Sequence, residues 1–251
     1  MKQKEMLEVN KKGWNVVAPH FFGVEALPEY GPYTETEEDI RLMDTIKDKK
    51  VLEIGCGSGH SLKYMAENGA KELWGIDLSS EQIKMADVLL SDLNPNLICA
   101  PMEKDTIVPK NHFDIVYSIF AIGWTSDLPQ TLNHIYSYLK DGGSLVFSWE
   151  HPFYTNLRSR ENQVVVENSY LNEDPWVIES FKGENVPMII PRRKISTFIN
   201  TLITTGFTIE KIVEGEIAKK YKNQPFDYSD RYYSLYKANK VPTTLIIKAR
   251  K

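Results

Sequence analysis

The chain has only two cysteines in 251 residues, Cys56 and Cys99. That number excludes a disulfide framework, and neither thiol sits in a spacing that would hold a metal. Long apolar runs are also missing: none approaches the ~18–20 residues needed to span a bilayer, so no membrane partner is expected. The first residues carry Lys2, Lys4 and Glu5 instead of the apolar core of a signal peptide, which points to a cytoplasmic protein. Basic charge is not in excess. Lys and Arg number 30 against 34 Asp and Glu, a formal net charge of −4 that argues against a nucleic-acid partner. Lys219-Lys220-Tyr221-Lys222 is the one modest basic cluster, and there is no internal repeat. The length suits one sizeable α/β domain better than two with linkers.

Against that plain background one stretch stands out, Val51-Leu52-Glu53-Ile54-Gly55-Cys56-Gly57-Ser58-Gly59-His60. A short apolar run with an acid near its end leads into three alternate glycines and then a helical segment. This reads as a buried strand, a tight turn and a helix start. Such a turn lets a ligand approach the backbone where the first N–H groups of the helix lack partners. A dinucleotide fingerprint, G-x-G-x-x-G, would place its third glycine at His60, whereas here it falls at Gly59. The bland alternative is a strand-to-helix turn that binds nothing. Asp77 is the second signal. It lies 22 residues after Gly55, at the end of the next strand, where a carboxylate can accept hydrogen bonds from two vicinal ribose hydroxyls. Its structural alternative is helix capping, a task Ser79 or Ser80 can also fill.

Read in order, residues 1–48 are helical and amphipathic with a break at Pro19 and Gly23. A new helix is expected at Thr34, where Thr34-x-x-Glu37 fits a capping box, with Ile40, Leu42, Met43 and Ile46 buried. Trp14 and the Tyr30–Tyr33 region read either as a hydrophobic clasp on the sheet or as a lid over a ligand. Strand and helix signals alternate over 49–150: strands at Val51–Ile54, Glu72–Asp77, Asn96–Ala100, Phe113–Ser118 and Ser144–Ser148, with Asp141-Gly142-Gly143 as a turn. That alternation implies a parallel sheet with helices on both faces. His134 falls on an expected solvent face of the helix before that turn. Periodicity lapses over 151–190, as in a cap or insertion. In 191–251, Pro191 opens a helix that Gly206 ends, and two further strands follow at Phe207–Val213 and Thr243–Lys248.

Four segments carry a resemblance: Val51–Gly59 with its E-x-G-x-G-x-G pattern, Gly75-Ile76-Asp77-Leu78-Ser79, Phe113–Ser118, and Leu139-Lys140-Asp141-Gly142-Gly143-Ser144-Leu145. In order and spacing they resemble the successive motifs of the class I S-adenosylmethionine-dependent methyltransferases. The resemblance implies one three-layer, Rossmann-like α/β domain. Its seven-stranded sheet would run in the order 3-2-1-4-5-7-6 with only strand 7 antiparallel, an N-terminal helical lid and an insertion after strand 5.

The same resemblance implies S-adenosylmethionine as cofactor. Glu53 and the loop Gly55, Cys56, Gly57 and Gly59 would meet its methionine part, with Ser118 and Ile119 near the amine through backbone atoms. Asp77 would take the ribose, Leu78 would pack on the adenine, and Met102 and Glu103 would contact the base. Relatives often carry an Asp where this chain has Pro101, so Glu103 becomes the candidate to replace it. On the acceptor side, His151 after strand 5 is a candidate general base or a plain hydrogen-bonding group. Trp14, Tyr30, Trp124, Trp149 and Glu150 would shape a pocket for a small-molecule acceptor. A non-catalytic cofactor-binding protein and, more distantly, a nicotinamide-dependent oxidoreductase remain the other readings. No motif specifies the acceptor atom or an oligomeric state.

Overall fold

The structure is a computed structural model that describes residues 3–251; Met1 and Lys2, the first residues of the expected lid, lie outside them. Helix α1 (Gln3–Val17) precedes a short helix α2 (Glu37–Ile40). The central run is β1 (Lys50–Ile54), α3 (His60–Glu67), β2 (Glu72–Asp77), α4 (Ser80–Leu89), β3 (Asn96–Cys99), β4 (Phe113–Ser118), α5 (Leu128–Tyr138) and β5 (Leu139–Glu150). Two hairpins follow, β6 (Leu157–Arg160) with β7 (Gln163–Val166) and β8 (Trp176–Ile178) with β9 (Met188–Ile190). The chain closes with α6 (Ile195–Thr205), β10 (Thr208–Glu214), α7 (Leu235–Ala238) and β11 (Thr244–Arg250).

Seven strands form one sheet in the order β3-β2-β1-β4-β5-β11-β10. The pairs among β1 to β5 are parallel, and β11 runs antiparallel to both neighbours. With β10 and β11 as sixth and seventh strands, this is the order the sequence motifs imply. Strand order reverses between β1 and β4, so the carboxyl ends of β1, β2 and β4 open a crevice there.

Period-two alternation sends successive residues to opposite faces. Leu52, Ile54, Val116, Leu145, Phe147, Leu245 and Ile247 build one core with Leu132, Ile135, Phe198 and Leu202 of α5 and α6. Val51, Ile115, Tyr117, Val146 and Ile246 build the other with Leu62 and Met65 of α3 and with Tyr30, Leu42, Met43 and Ile46. Burying both faces explains why the strands read as nearly continuous apolar runs; each fully buried Leu, Ile or Phe contributes about 1.5–3 kcal/mol.

Several local expectations change. The capping box belongs to Thr36 and Asp39, whose carboxylate accepts the Thr36 N–H at 3.1 Å, not to Thr34 and Glu37. The helix stops after one turn because Glu37 folds back. Its carboxylate accepts the N–H groups of Leu42 (3.1 Å) and Met43 (2.9 Å) and the Tyr30 hydroxyl, while Arg41 turns left-handed at φ +45°. Leu42, Met43 and Ile46 are buried as expected, but from irregular backbone. Asp141-Gly142-Gly143 lies within a longer β5, where Gly142 and Gly143 pair with Lys251. Helix α6 starts at Ile195, four residues after Pro191. Glu173 from the preceding loop accepts the Lys194 N–H at 2.9 Å and the Thr197 hydroxyl at 2.6 Å, which fixes that start. His134 is buried, stacked on Tyr138 and hydrogen-bonded to Gln130 at 3.0 Å.

The backbone of Gly31 carries the 30–33 segment across β11 so closely that a Cβ would lie 2.0 Å from Thr244 Oγ1. Gly31→Ala therefore costs about 1–3 kcal/mol of stability by overpacking. Chemical denaturation checks this; an unchanged midpoint would show that the segment does not sit on the strand.

Candidate cofactor and acceptor site

The glycine turn is fastened to the end of β2. The Ile76 carbonyl accepts the N–H groups of Gly55 (2.8 Å) and Cys56 (2.9 Å). Gly55 has φ +72°, and a Cβ there would lie 2.4 Å from the Ala121 methyl, so the loop closes against the exit of β4. Gly57, at φ +51°, meets nothing nearer than Gln82 Oε1 at 3.8 Å, which leaves its face free for a ligand. Met102 reaches this place: its methyl lies 3.8 Å from the Gly55 Cβ position.

Asp77 joins the same turn. Its Oδ2 accepts the Gly57 N–H at 2.9 Å and its Oδ1 the Ser79 N–H at 2.8 Å. Each oxygen keeps lone-pair capacity for a further donor. Burial pushes the carboxyl up to about 6, against the two N–H groups that favour its charged form. Glu53 is buried and accepts the Tyr117 hydroxyl at 3.2 Å; burial holds it well above the usual carboxylate range, and the Asp77 charge adds to that. Leu78 is half-buried just beyond Asp77.

Other expected cofactor residues present backbone only. The Cys56 side chain is buried in the core, its thiol pushed up by burial. Ser118 is fully buried and donates its hydroxyl to the Ile54 carbonyl at 2.8 Å. Ile119 packs on the core cluster that contains Tyr30. Glu103 is buried, and its Oε1 accepts both the N–H (2.9 Å) and the hydroxyl of Ser126, which caps the loop before α5.

Helix α1 crosses this rim. Asn15 Oδ1 accepts the Ser79 hydroxyl at 2.7 Å, and the Asn10 amide exchanges two 2.8 Å hydrogen bonds with the backbone of Ile189 in β9. Trp14 lies 5.2 Å from Trp124 and 5.7 Å from Phe181 between ring centroids, and those two are 6.0 Å apart. The triangle joins the N-terminal helix, the loop after β4 and the insertion. Gly23 donates its N–H to His60 Nε2 at 3.1 Å, so the chain beyond α1 also sits on the helix that follows the glycine turn. Tyr30 does not belong to this group. It is fully buried in the sheet core with its hydroxyl on Glu37, a clasp and not a pocket wall.

On the β5 side, Trp149 packs flat on Gly123, where a Cβ would fall 1.8 Å from its ring, and lies 5.9 Å from Trp124. Arg193 holds that loop by donating to the carbonyls of Gly123 (2.9 Å) and Thr125 (2.5 Å); burial lowers its guanidinium to about 10. Phe120 takes the left-handed region at φ +52° and donates its N–H to Ser148 Oγ at 3.0 Å. Glu150 is buried and accepts the Tyr233 hydroxyl. His151 has both ring nitrogens engaged. Nδ1 accepts the Phe153 N–H at 3.3 Å, which puts the proton on Nε2, 3.1 Å from Glu214 Oε1. That geometry fits the hydrogen-bonding reading of His151 better than a free base. Asn10, Asn15, Phe120 and Phe181 carry no motif; Asn10 shares the buried face of α1 with Met6, Gly13 and Val17, where a polar side chain needs a partner.

Comparison with known proteins agrees with this architecture. A family model described as a methyltransferase domain matches residues 35–184. An uncharacterized protein of Haemophilus influenzae is 32% identical, over 84% of this chain and 85% of its own length. A Listeria monocytogenes structure described as an S-adenosylmethionine dependent methyltransferase is 28% identical with a TM-score of 0.71, covering 86% of this chain and 95% of that one. The S-adenosylmethionine dependent methyltransferase from Mesorhizobium loti, 24% identical with a TM-score of 0.72 over 84% and 95% of the two chains, shares the fold.

The raised Asp77 carboxyl has a consequence for stability. An unfolded chain returns it to its ordinary value of 3.8, so the folded state binds more protons between about pH 4 and 6. Its contribution is fully present below that window and is lost as pH rises through about 6. Asp77→Asn should remove this part of the pH dependence of unfolding. Equal slopes for both proteins in urea titrations across the window would show that the carboxyl is not raised.

Proposed function

The chain belongs to the class I S-adenosylmethionine-dependent methyltransferases, and within that family we propose that it methylates a small-molecule acceptor enclosed between its N-terminal helix and the insertion after β5. The observation that carries the acceptor class is the aromatic triangle of Trp14, Trp124 and Phe181, extended by Trp149: four rings from separate segments meeting beside the crevice. Such a wall suits a compact apolar or aromatic body, and the chain's acidic balance gives no general attraction for a polyanion. Membership of the family sets aside the nicotinamide-dependent reading.

The residues at the crevice fit the cofactor. Asp77 has lone pairs left for ribose hydroxyls, and Gly57 leaves its face clear. Glu53 with Tyr117, the backbone of Gly55–Gly59, and the backbone at Ser118 and Ile119 would hold the methionine part. Leu78 and Met102 would flank the adenine. Bound there, S-adenosylmethionine supplies a methyl group made electrophilic by its sulfonium. The protein's share is orientation and exclusion of water: α1, tied to Ser79 through Asn15 and to Ile189 through Asn10, closes over the crevice, and Trp149, Trp124 and Trp14 fix the acceptor's approach. Holding the reacting atoms in line accounts for much of the acceleration in such transfers.

Calorimetry with S-adenosylhomocysteine should give binding in the micromolar range, and Asp77→Ala should weaken it by more than about tenfold through loss of charged hydrogen bonds. With methyl-labelled cofactor, label should enter a small-molecule acceptor panel and not bulk tRNA; transfer to tRNA would overturn the acceptor class. Trp14→Ala should raise the acceptor KM about fivefold or more while leaving the fold intact, as expected for an aromatic contact worth ~1 kcal/mol.

A further inference from the structure

Four glutamates are buried among the described residues: Glu37, Glu53, Glu103 and Glu150. Glu37 and Glu103 each take backbone N–H donors and serve as caps. Glu53 stands with Asp77 on the cofactor side. Glu150 differs. It ends β5, takes neither a backbone N–H nor a cation directly, and accepts the hydroxyl of Tyr233.

It stands next to the aromatic wall. The Tyr233 ring lies 6.5 Å from Phe120, and Phe120 lies 5.4 Å from Trp149. Phe120 is joined to Ala121, the residue against which Gly55 closes. The Glu150–Tyr233 pair therefore flanks the same β4 exit as the glycine turn, on the β5 side. Around it stand Lys237 of α7, Arg158 of β6, Tyr154, Tyr232 and, more remotely, Tyr33. The Lys237 ammonium is buried 4.6 Å from the Tyr154 ring and 4.9 Å from the Tyr232 ring with no hydrogen-bond partner, and Arg158 lies 5.2 Å from the Tyr232 ring. Burial leaves the Glu150 carboxyl above its ordinary range, against the hydroxyls of Tyr233 and neighbouring Tyr232 and the two cations, all of which favour its charged form.

We propose that Glu150 and Tyr233 form a proton relay for methyl transfer, an inference that rests on the small-molecule reading above. As the acceptor atom bonds to the methyl carbon, the carbon–sulfur bond breaks and its electron pair stays on sulfur. The acceptor's proton passes to the Tyr233 oxygen, and the Tyr233 proton passes to Glu150 Oε1. The positive charge on sulfur and the negative charge on Glu150 disappear together, so no lone charge is left in a closed chamber, where one would be costly. Lys237 and Arg158 favour the ionised form of Glu150. Tyr233 is the catalytic residue of the pair, and Glu150 acts through it.

Two variants test this in the full chain with S-adenosylhomocysteine bound. With 13C-carboxyl glutamate, the signal lost in Glu150→Gln should titrate above the ordinary carboxylate range in the wild type and higher still in Tyr233→Phe, which removes a donor to the charged form. A signal in the ordinary range, or one indifferent to Tyr233→Phe, overturns the relay. With a turned-over acceptor, Glu150→Gln should lower kcat about 100-fold and Tyr233→Phe at least about tenfold, with S-adenosylhomocysteine affinity within about twofold. Wild-type kcat in either variant also overturns it. A panel in which nothing is methylated would overturn the small-molecule reading and the relay with it, whereas a methylated panel with wild-type kcat in the variants overturns the relay alone.

Discussion

The Ile76 carbonyl, with its two N–H donors from Gly55 and Cys56, sets the geometry on which the crevice depends. Parallel pairing of Ile54 with Ile76 brings the ends of β1 and β2 level, and the double hydrogen bond stops the chain there and turns it. Asp77, the next residue on β2, then finds the Gly57 N–H within reach. The acid and the loop are positioned by one another. Across β1, the lack of a Cβ at Gly55 lets Ala121 close in from β4. Three strand ends meet at one point because one residue has no side chain and one carbonyl has two lone pairs.

Helix α1, the cover in the proposed function, is held by a different kind of force. Asn10 and Asn15 fasten α1 by amide hydrogen bonds, each worth about 1 kcal/mol net, and the aromatic contacts of Trp14 add about 0.5–1.5 kcal/mol per pair beyond burial. The sheet beneath is fixed by continuous ladders and two buried faces. Helix α1 also buries Met6 and Val17, and its Gly13 lies against Met188, so it is packed on the body as well as hydrogen-bonded to it.

The core and the turn were legible in the sequence because both rest on local chemistry. Strand periodicity, alternate glycines and an acid at a strand end each leave a mark in consecutive residues, and the sheet order followed from matching several such marks. The cover left no such mark. Tyr30 and Trp14 look alike in the sequence, yet one is locked in the core by Glu37 and the other stands between Trp124 and Phe181. What separates them is Glu37 folding back on Leu42 and Met43, a contact that the apparent capping box at Thr34 concealed. Glu103 shows a similar limit: its position after β3 suggests a ligand, and the cap it makes on Ser126 left no mark in the sequence.

The end of β5 shows how one strand can serve two needs. Trp149 and Glu150 are consecutive, so the pleat sends them to opposite faces of the sheet. Trp149 goes to the side of Gly123 and Trp124, where it continues the apolar wall. Glu150 goes to the side of Ser148, Thr244 and Tyr233, where polar groups gather. An acceptor lying across this strand end would meet an apolar surface that positions it and, one residue further, a carboxyl with a hydroxyl before it. Because both come from adjacent residues of a rigid central strand, their spacing does not depend on how the N-terminal helix closes. On the proposed function, the N-terminal helix would control entry and the strand would control geometry.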